Sequence, residues 1–91
     1  MNKIRTLIDA RTLVAKMMQN PELQIILGDD IDANCVMSVA PHPESDIWCK
    51  MTFIDSVNGR ETHRSGYIVE ARRAIWESRK NVNRLNDLEN L

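Results

Sequence analysis

The segment 46–57 alternates apolar and polar side chains, which is the pattern of a β-strand with one buried face. Asn58 and Gly59 follow at once, and this pair accommodates the positive φ angles of a tight turn. A partner strand should therefore return through residues 60–67, and its many polar side chains indicate a sheet edge with one solvated face. The sequence thus predicts a hairpin that forms the floor on which the helices pack.

Two other segments show the 3.6-residue spacing of amphipathic helices. The first predicted helix covers residues 2–19, with a main apolar stripe of Ile4, Leu7, Ile8, Val14, Ala15 and Met18. Arg11 falls within that stripe and must extend outward or find a carboxylate. A weaker stripe of Ala10, Leu13 and Met17 packs on the next segment or meets another chain. The last predicted helix covers residues 68–88.

The remaining elements lie between these helices and the hairpin. Asn20 and Pro21 favour the start of a short helix over 21–27, with Gly28 as its C-terminal cap. A polar loop and a first strand over 34–40 follow, and the prolines of segment 41–45 predict a rigid connection. We therefore expect one α+β domain over residues 1–91 in the order ααβββα. Its three strands are antiparallel, and its helices lie on one face of the sheet.

Composition and the distribution of apolar residues indicate the cellular location of the protein. Of the 91 residues, 43% are apolar and 27% charged, which is ordinary for a folded globular chain. No run approaches the ~20 apolar residues of a membrane span, and the N-terminus lacks the apolar block of a secretory signal. Cys35 and Cys49 fall in strand contexts where reduced thiols are the simpler interpretation, although a disulfide between them stays open. These features predict a cytoplasmic protein with no membrane contact.

The formal net charge of −1 conceals an uneven distribution. Segment 21–47 carries six acidic side chains and neither lysine nor arginine, and it lies between two segments that are mainly basic. Such a chain can present faces of opposite sign, which favours electrostatic docking to a partner.

Trp76 is the most distinctive local feature. Its neighbours at helical spacing are all cations: Arg72, Arg73, Arg79 and Lys80. Tryptophan and arginine are enriched at interface hot spots, so this cluster is a candidate partner-binding surface. The alternative is that Trp76 closes the edge of the core while the cation stems lie across its ring. The full set of candidate partner-binding residues also includes Arg84, Asp29, Asp30 and Asp32.

Motifs for catalysis or metal binding are missing from the sequence. The acidic segment 29–32 lacks the ligand order of a calcium loop. Cys35, His42, Cys49 and His63 are spaced too far apart for the close ligand pairs of structural zinc sites. The three glycines form no phosphate-binding loop, and no nucleophile stands in a known catalytic context. We expect no catalytic residue, no cofactor and no metal.

Residues from 34 onward, with Asn58-Gly59, Gly66 and Arg72-Arg73 in comparable places, resemble double-stranded-RNA-binding domains. That resemblance implies nucleic-acid binding but assigns no contact residues. If the chain binds nucleic acid, charge reversal at Arg73, Lys80 and Arg84 should abolish binding. The size and element order are also similar to those of small phage-encoded inhibitors of bacterial defence or host enzymes. That similarity implies a viral accessory protein that occupies a partner's surface.

The sequence favours a small non-catalytic protein that binds a partner protein and regulates or inhibits it, in the form of a homodimer. The charge distribution supports docking, and surplus apolar surface is expected at Leu13/Met17 and at Leu85/Leu88/Leu91. Nucleic-acid binding is the first alternative, and a small subunit of a larger assembly is the second.

Overall fold

A computed structural model describes residues 3–27, 35–55, 57–80 and 82–83. In chain order its elements are α1 (Leu7–Gln19), β1 (Ile25–Leu27), β2 (Cys35–His42), β3 (Ser45–Asp55), β4 (Glu61–Tyr67) and α2 (Ile68–Glu77). The strands form one antiparallel sheet in the order β1-β2-β3-β4. The predicted α+β class is therefore confirmed, but the described order is αββββα and not ααβββα.

The predicted hairpin is present as β3 and β4. Its register pairs Trp48 with Tyr67 and Ile54 with Glu61. Gly59 adopts a φ of +69°, the left-handed conformation that glycine reaches without steric cost. The backbone N–H of Asp55 donates to the carbonyl of Arg60 at 3.0 Å and closes the turn. As expected, β4 lies at the sheet edge with exposed side chains.

The predicted short helix over 21–27 is wrong, because part of this segment forms a strand. After a turn at Pro21, Ile25–Leu27 pairs antiparallel with β2, with Ile25 opposite Met37. Branched side chains at positions 25 and 26 suit an extended backbone better than a helix. The predicted cap at Gly28 and the acidic loop with Asp29, Asp30 and Asp32 lie outside the described residues.

The predicted rigid connection over 41–45 is shorter than expected. Pro41 and His42 belong to β2, and Ser45 already belongs to β3. Only Pro43 and Glu44 remain as the turn. The register shifts between Pro41 and His42, where the absent N–H of proline is compatible with an irregular ladder.

Helix α1 begins at Leu7 and not near residue 2, because Thr6 caps it. The Thr6 hydroxyl accepts a hydrogen bond from the Asp9 N–H at 3.2 Å, and the Asp9 carboxylate accepts one from the Thr6 N–H at 2.9 Å. This reciprocal capping box satisfies donors that would otherwise be unpaired at the helix start.

The buried face of α1 combines the predicted weaker stripe with Val14 of the predicted main stripe. Ala10, Leu13, Val14 and Met17 form the buried face, so Leu13 and Met17 are not surplus surface. Leu7 and Ile8 of the expected main stripe are 65% and 72% exposed. The reason is the rotation of α1 about its axis, which depends on packing against β2 and α2.

The predicted long final helix is interrupted. Helix α2 ends at Glu77 with Ser78 as its C-terminal cap, and residues 79–80 and 82–83 are again helical. Residues 84–91, with Arg84 and the leucines at 85, 88 and 91, lie outside the described residues. After the break, Val82 is buried, and the Asn83 side chain pairs with the backbone of Ile4. The Ile4 N–H donates to Asn83 Oδ1 at 2.6 Å, and Asn83 Nδ2 donates to the Ile4 carbonyl at 3.0 Å.

Both helices cover the same face of the sheet. Met37 and Val39 of β2 and Cys49 and Met51 of β3 are buried against the helices, whereas their strand neighbours face the opposite side. We call that opposite side the outer sheet face; it includes Trp48 and Tyr67, which are exposed. Within the described residues, neither helix has the length and apolar character needed to cross a bilayer.

The capping box predicts a pH dependence of stability. Backbone hydrogen bonds from Arg5 and Thr6 hold the pKa of Asp9 below its ordinary value of 3.8. A carboxyl whose pKa is lower in the folded state stabilises the fold above its unfolded pKa, and this contribution is lost as the pH falls through the folded-state pKa. Asp9→Asn should therefore be less stable than the wild type at pH 7, with a difference that shrinks below about pH 4.

Urea unfolding at a series of pH values measures this difference. Asp46→Asn is the matched control, because the Asp46 side chain is exposed and makes no hydrogen bond or ion pair with any described residue. A difference between wild type and Asp9→Asn that stayed constant from pH 7 to about pH 2 would contradict the capping role.

Candidate protein-binding groove

A groove of about 330 Å³ separates the first turn and a half of α1 from α2. We call it the helix groove. It is lined by Leu7, Ala10, Arg11, Val69, Arg72, Arg73 and Trp76. The lining residues of α1 and those of α2 each recur at spacings of three or four, so each helix contributes one continuous stripe. Ala10 is fully buried at this place, and its small side chain keeps the groove floor apolar.

The walls of the helix groove leave apolar surface in contact with solvent. Leu7 is 65% exposed and Val69 is 56% exposed, and the half-buried Trp76 packs against the core. Ile8, one residue beyond Leu7, is also exposed. Contiguous exposed apolar side chains are uncommon on a monomer surface away from binding sites.

Trp76 has features of both predicted roles, closing the edge of the core and contributing to a candidate binding surface. It is packed against the core, and it also lines the helix groove. The guanidinium carbon of Arg79 lies 4.2 Å from the centroid of the Trp76 ring. Arg79 Nη1 also donates to the Trp76 carbonyl at 3.0 Å, so Arg79 is held against the ring at the C-terminal end of α2.

The charged side chains that the structure describes in the helix groove are all arginines. Arg11 comes from α1, and Arg72 and Arg73 come from α2. None of the three makes a hydrogen bond or ion pair with a described residue, and Arg72 Nε is buried without a partner among them. No carboxylate is found among the described residues that line the groove.

Three acidic residues, Asp9, Glu70 and Glu77, lie next to groove residues in the sequence. Asp9 accepts hydrogen bonds from the backbone at the start of α1. Glu70 points toward β4, where it lies 3.7 Å from the guanidinium of Arg64 and covers Gly66 so closely that a Cβ there would collide with the carboxylate. Glu77 is exposed and forms no ion pair with a described residue. None of the three carboxylates therefore pairs with a groove arginine.

The other predicted site residues are dispersed or undescribed. Lys80 follows the break at Ser78, is exposed and does not line the groove. Arg84, Asp29, Asp30 and Asp32 lie outside the described residues, so the assignment of an acidic contact surface stays a prediction. The groove residues that the sequence analysis missed are Leu7, Ala10, Arg11 and Val69. Their signal was the arginine within the apolar stripe of α1, but only the packing of α1 beside α2 brings them to Trp76.

A second surface lies on the outer sheet face. The rings of His42, Trp48 and Tyr67 form an aromatic row, with centroids 5.3 Å apart for His42 and Trp48 and 5.9 Å apart for Trp48 and Tyr67. Both contacts are edge-to-face, a favourable geometry for aromatic pairs. Lys50 and Ser65 lie beside this row on the same face by register.

The cysteines and histidines do not converge. Burial is the main cause that raises the pKa of both thiols, Cys35 and Cys49, and neither forms a disulfide. His42 lies in the aromatic row, whereas His63 contacts Thr52 and Glu61 on β3 and β4. Within the described residues, no group of three or more histidine, cysteine or acidic side chains could hold a metal ion.

No family model, curated protein or solved structure matches this chain. The resemblance to double-stranded-RNA-binding domains covers residues from 34 onward, and β1 lies before that range as a further strand of the sheet.

The contact between Arg79 and Trp76 leads to a stability prediction. Replacing Arg79 with alanine removes a cation–π contact and one hydrogen bond, and it should lower the free energy of unfolding by about 1 kcal/mol. Because the ring then gains water contact, the fluorescence of Trp76 should also shift to longer wavelength. Urea unfolding and emission spectra in a Trp48→Phe background, where Trp76 is the single tryptophan, measure both effects.

Arg73→Ala is the control for loss of a cation from the same helix, because Arg73 is exposed and makes no contact with the ring that the structure describes. Equal effects of the two substitutions on stability and emission would mean that Arg79 does not shield Trp76.

Proposed function

We propose that this protein is a non-catalytic module that binds a partner protein through the helix groove and thereby regulates or inhibits it. The observation that carries this proposal is the combination of solvent-accessible apolar side chains with arginines around Trp76. Tryptophan and arginine surrounded by apolar contacts are typical of interface hot spots. Such a module acts by occupying a surface of its partner.

The shape of the groove suits a side chain of a partner better than a whole small-molecule substrate. Its volume of about 330 Å³ lies at the lower end of the range of ~300–1,000 Å³ that ligand pockets occupy. Leu7 and Val69 remain largely exposed at its walls, so the groove does not enclose what it binds. A protruding apolar side chain of another protein would fill this volume and remove those walls from water.

The chemistry of the lining also supports a binding role. Among the described residues that line the groove, every titratable side chain is an arginine, and arginine stays protonated in proteins. Such residues can bind and orient an anionic group, but they cannot alternate between acid and base. Binding without a chemical step is therefore the use that fits this lining.

Cellular location and oligomeric state belong to the same proposal. Two unpaired thiols, one of them fully buried, suit a reducing compartment such as the cytoplasm. The case for a homodimer is weaker than the sequence indicated, because Leu13 and Met17 are buried within the monomer. We therefore propose a different protein as the partner and treat a second copy of this chain as an outcome to be tested.

Nucleic-acid binding remains the second candidate, and one observation favours it. The aromatic row on the outer sheet face exposes Trp48 and Tyr67, with Lys50 nearby, and bases stack on such side chains in single-strand-binding proteins. This surface is opposite to the helix groove, so substitutions can separate the two candidates.

Affinity purification from the native host tests the proposal with two valine substitutions. Val69→Glu places a charged side chain in the groove, whereas Val57→Glu makes the same change in the turn after β3, at a residue that is 75% exposed. Because both positions are largely exposed, both variants should fold. We expect Val69→Glu to recover at least about tenfold less partner protein, equivalent to 1.4 kcal/mol, and Val57→Glu to recover as much as the wild type.

Two results would contradict the proposal. One is equal recovery of the partner by wild type and Val69→Glu, with circular dichroism showing that both are folded. The other is release of the bound material by nuclease together with its loss in Trp48→Ala, which would assign the function to nucleic-acid binding on the outer sheet face.

A further inference from the structure

We infer that the partner segment in the helix groove is an acidic amphipathic helix, with apolar side chains against Leu7, Val69 and Trp76 and carboxylates against the groove arginines. This inference rests on the proposed function, because it states the chemical class of the partner at the same site. Its basis is charge complementarity between an unneutralised set of arginines and a partner of opposite sign.

The three groove arginines are available to an acceptor from outside the described part of the chain. Arg11, Arg72 and Arg73 are unpaired among the described residues, and two of them are adjacent on α2. Each guanidinium presents five N–H donors in a planar fork that matches a carboxylate. Arg72 Nε is buried without a partner among the described residues, which destabilises the protein when nothing is bound. Carboxylates that engage these guanidinium groups would provide the missing acceptors.

The apolar walls select a peptide over a phosphate backbone. Phosphates would satisfy the arginines but would leave Leu7 and Val69 in water. An amphipathic peptide removes both from water and pairs the arginines at the same time. Removal of apolar surface from water favours binding, so a peptide that covers both side chains has a contribution that a phosphate backbone lacks.

The dimensions of the groove suit a helical partner. The lining of α2 runs from Val69 to Trp76, a length of about 10 Å at 1.5 Å per residue. Two turns of helix have the same length, and they present two apolar side chains on one face at a spacing of four residues. Acidic side chains at the flanking positions would then lie beside Arg11 on one side and Arg72 and Arg73 on the other. This is the helix-in-groove mode of recognition.

A set of three synthetic peptides tests the inference. The probe is a helical peptide of about 15 residues, with leucines at spacings of three and four and glutamates on the flanking positions. One comparison peptide replaces the glutamates with lysines, and the other replaces the leucines with serines. A single-stranded oligonucleotide represents the phosphate ligand. Fluorescence anisotropy at low and at physiological salt measures the dissociation constants.

We expect the acidic leucine peptide to bind at least tenfold more tightly than either comparison peptide and than the oligonucleotide. Its affinity should fall as salt rises, because charge pairs contribute. Arg11→Glu and Arg73→Glu should each weaken binding at least tenfold. Arg60→Glu is the matched control, because it makes the same charge change at an exposed residue of the β3–β4 turn and should alter binding less than twofold.

Four outcomes would overturn the inference: equal binding of the lysine peptide, equal binding of the serine peptide, tighter binding of the oligonucleotide with the same arginine dependence, or self-association of the chain that the acidic peptide does not compete away. The result is separable from the proposed function. If Val69→Glu loses the natural partner while the acidic peptide does not bind, the partner class is wrong and the protein-binding function stands.

Discussion

The packing of both helices on one face of the sheet is the constraint on which the rest of the structure depends. Met17 of α1, Met37 of β2 and Ile75 of α2 are fully buried in one cluster. A chain of this size has few apolar residues beyond those needed for a single core. Strands β1, β2 and β3 therefore place one set of side chains in that core, whereas the edge strand β4 contributes none and keeps its side chains exposed.

Side-by-side packing of the helices also creates the helix groove. The buried face of α1 with Leu13, Val14 and Met17 packs into the core. Leu7 and Arg11 then lie on the side of α1 that faces α2. The contact between Ile4 and Asn83 joins the two ends of the described chain next to this pair of helices. The groove is thus a consequence of how the core is built, and its arginines occupy positions that the core cannot use.

The elements with local signals were predictable. Alternation along β3, the Asn58-Gly59 turn and the polar edge strand all follow from short-range rules, and the structure confirms each of them. Strand β1 was not predictable in this way. It has three residues, and its state depends on pairing with residues 35–37, which periodicity within 21–27 cannot show.

The candidate site also has one part that local sequence signals predict and another that depends on tertiary packing. The cluster of Trp76 with Arg72, Arg73 and Arg79 follows from helical spacing, and the contact of Arg79 with the ring is present. The contribution of α1 could not be predicted, because both of its stripes are apolar and the sequence does not say which one faces the sheet. The rotation of α1 is a tertiary property, and it decides that Leu7 and Arg11 join the groove.

The two tryptophans allow the most direct test, because each reports on a different face of the molecule. Trp76 lines the helix groove, and Trp48 lies on the outer sheet face. Single-tryptophan variants, Trp48→Phe and Trp76→Phe, can be titrated with the partner protein that co-purifies with the chain. We expect the emission of Trp76 to shift to shorter wavelength and that of Trp48 to stay unchanged. A shift of Trp48 with no change at Trp76 would contradict the account.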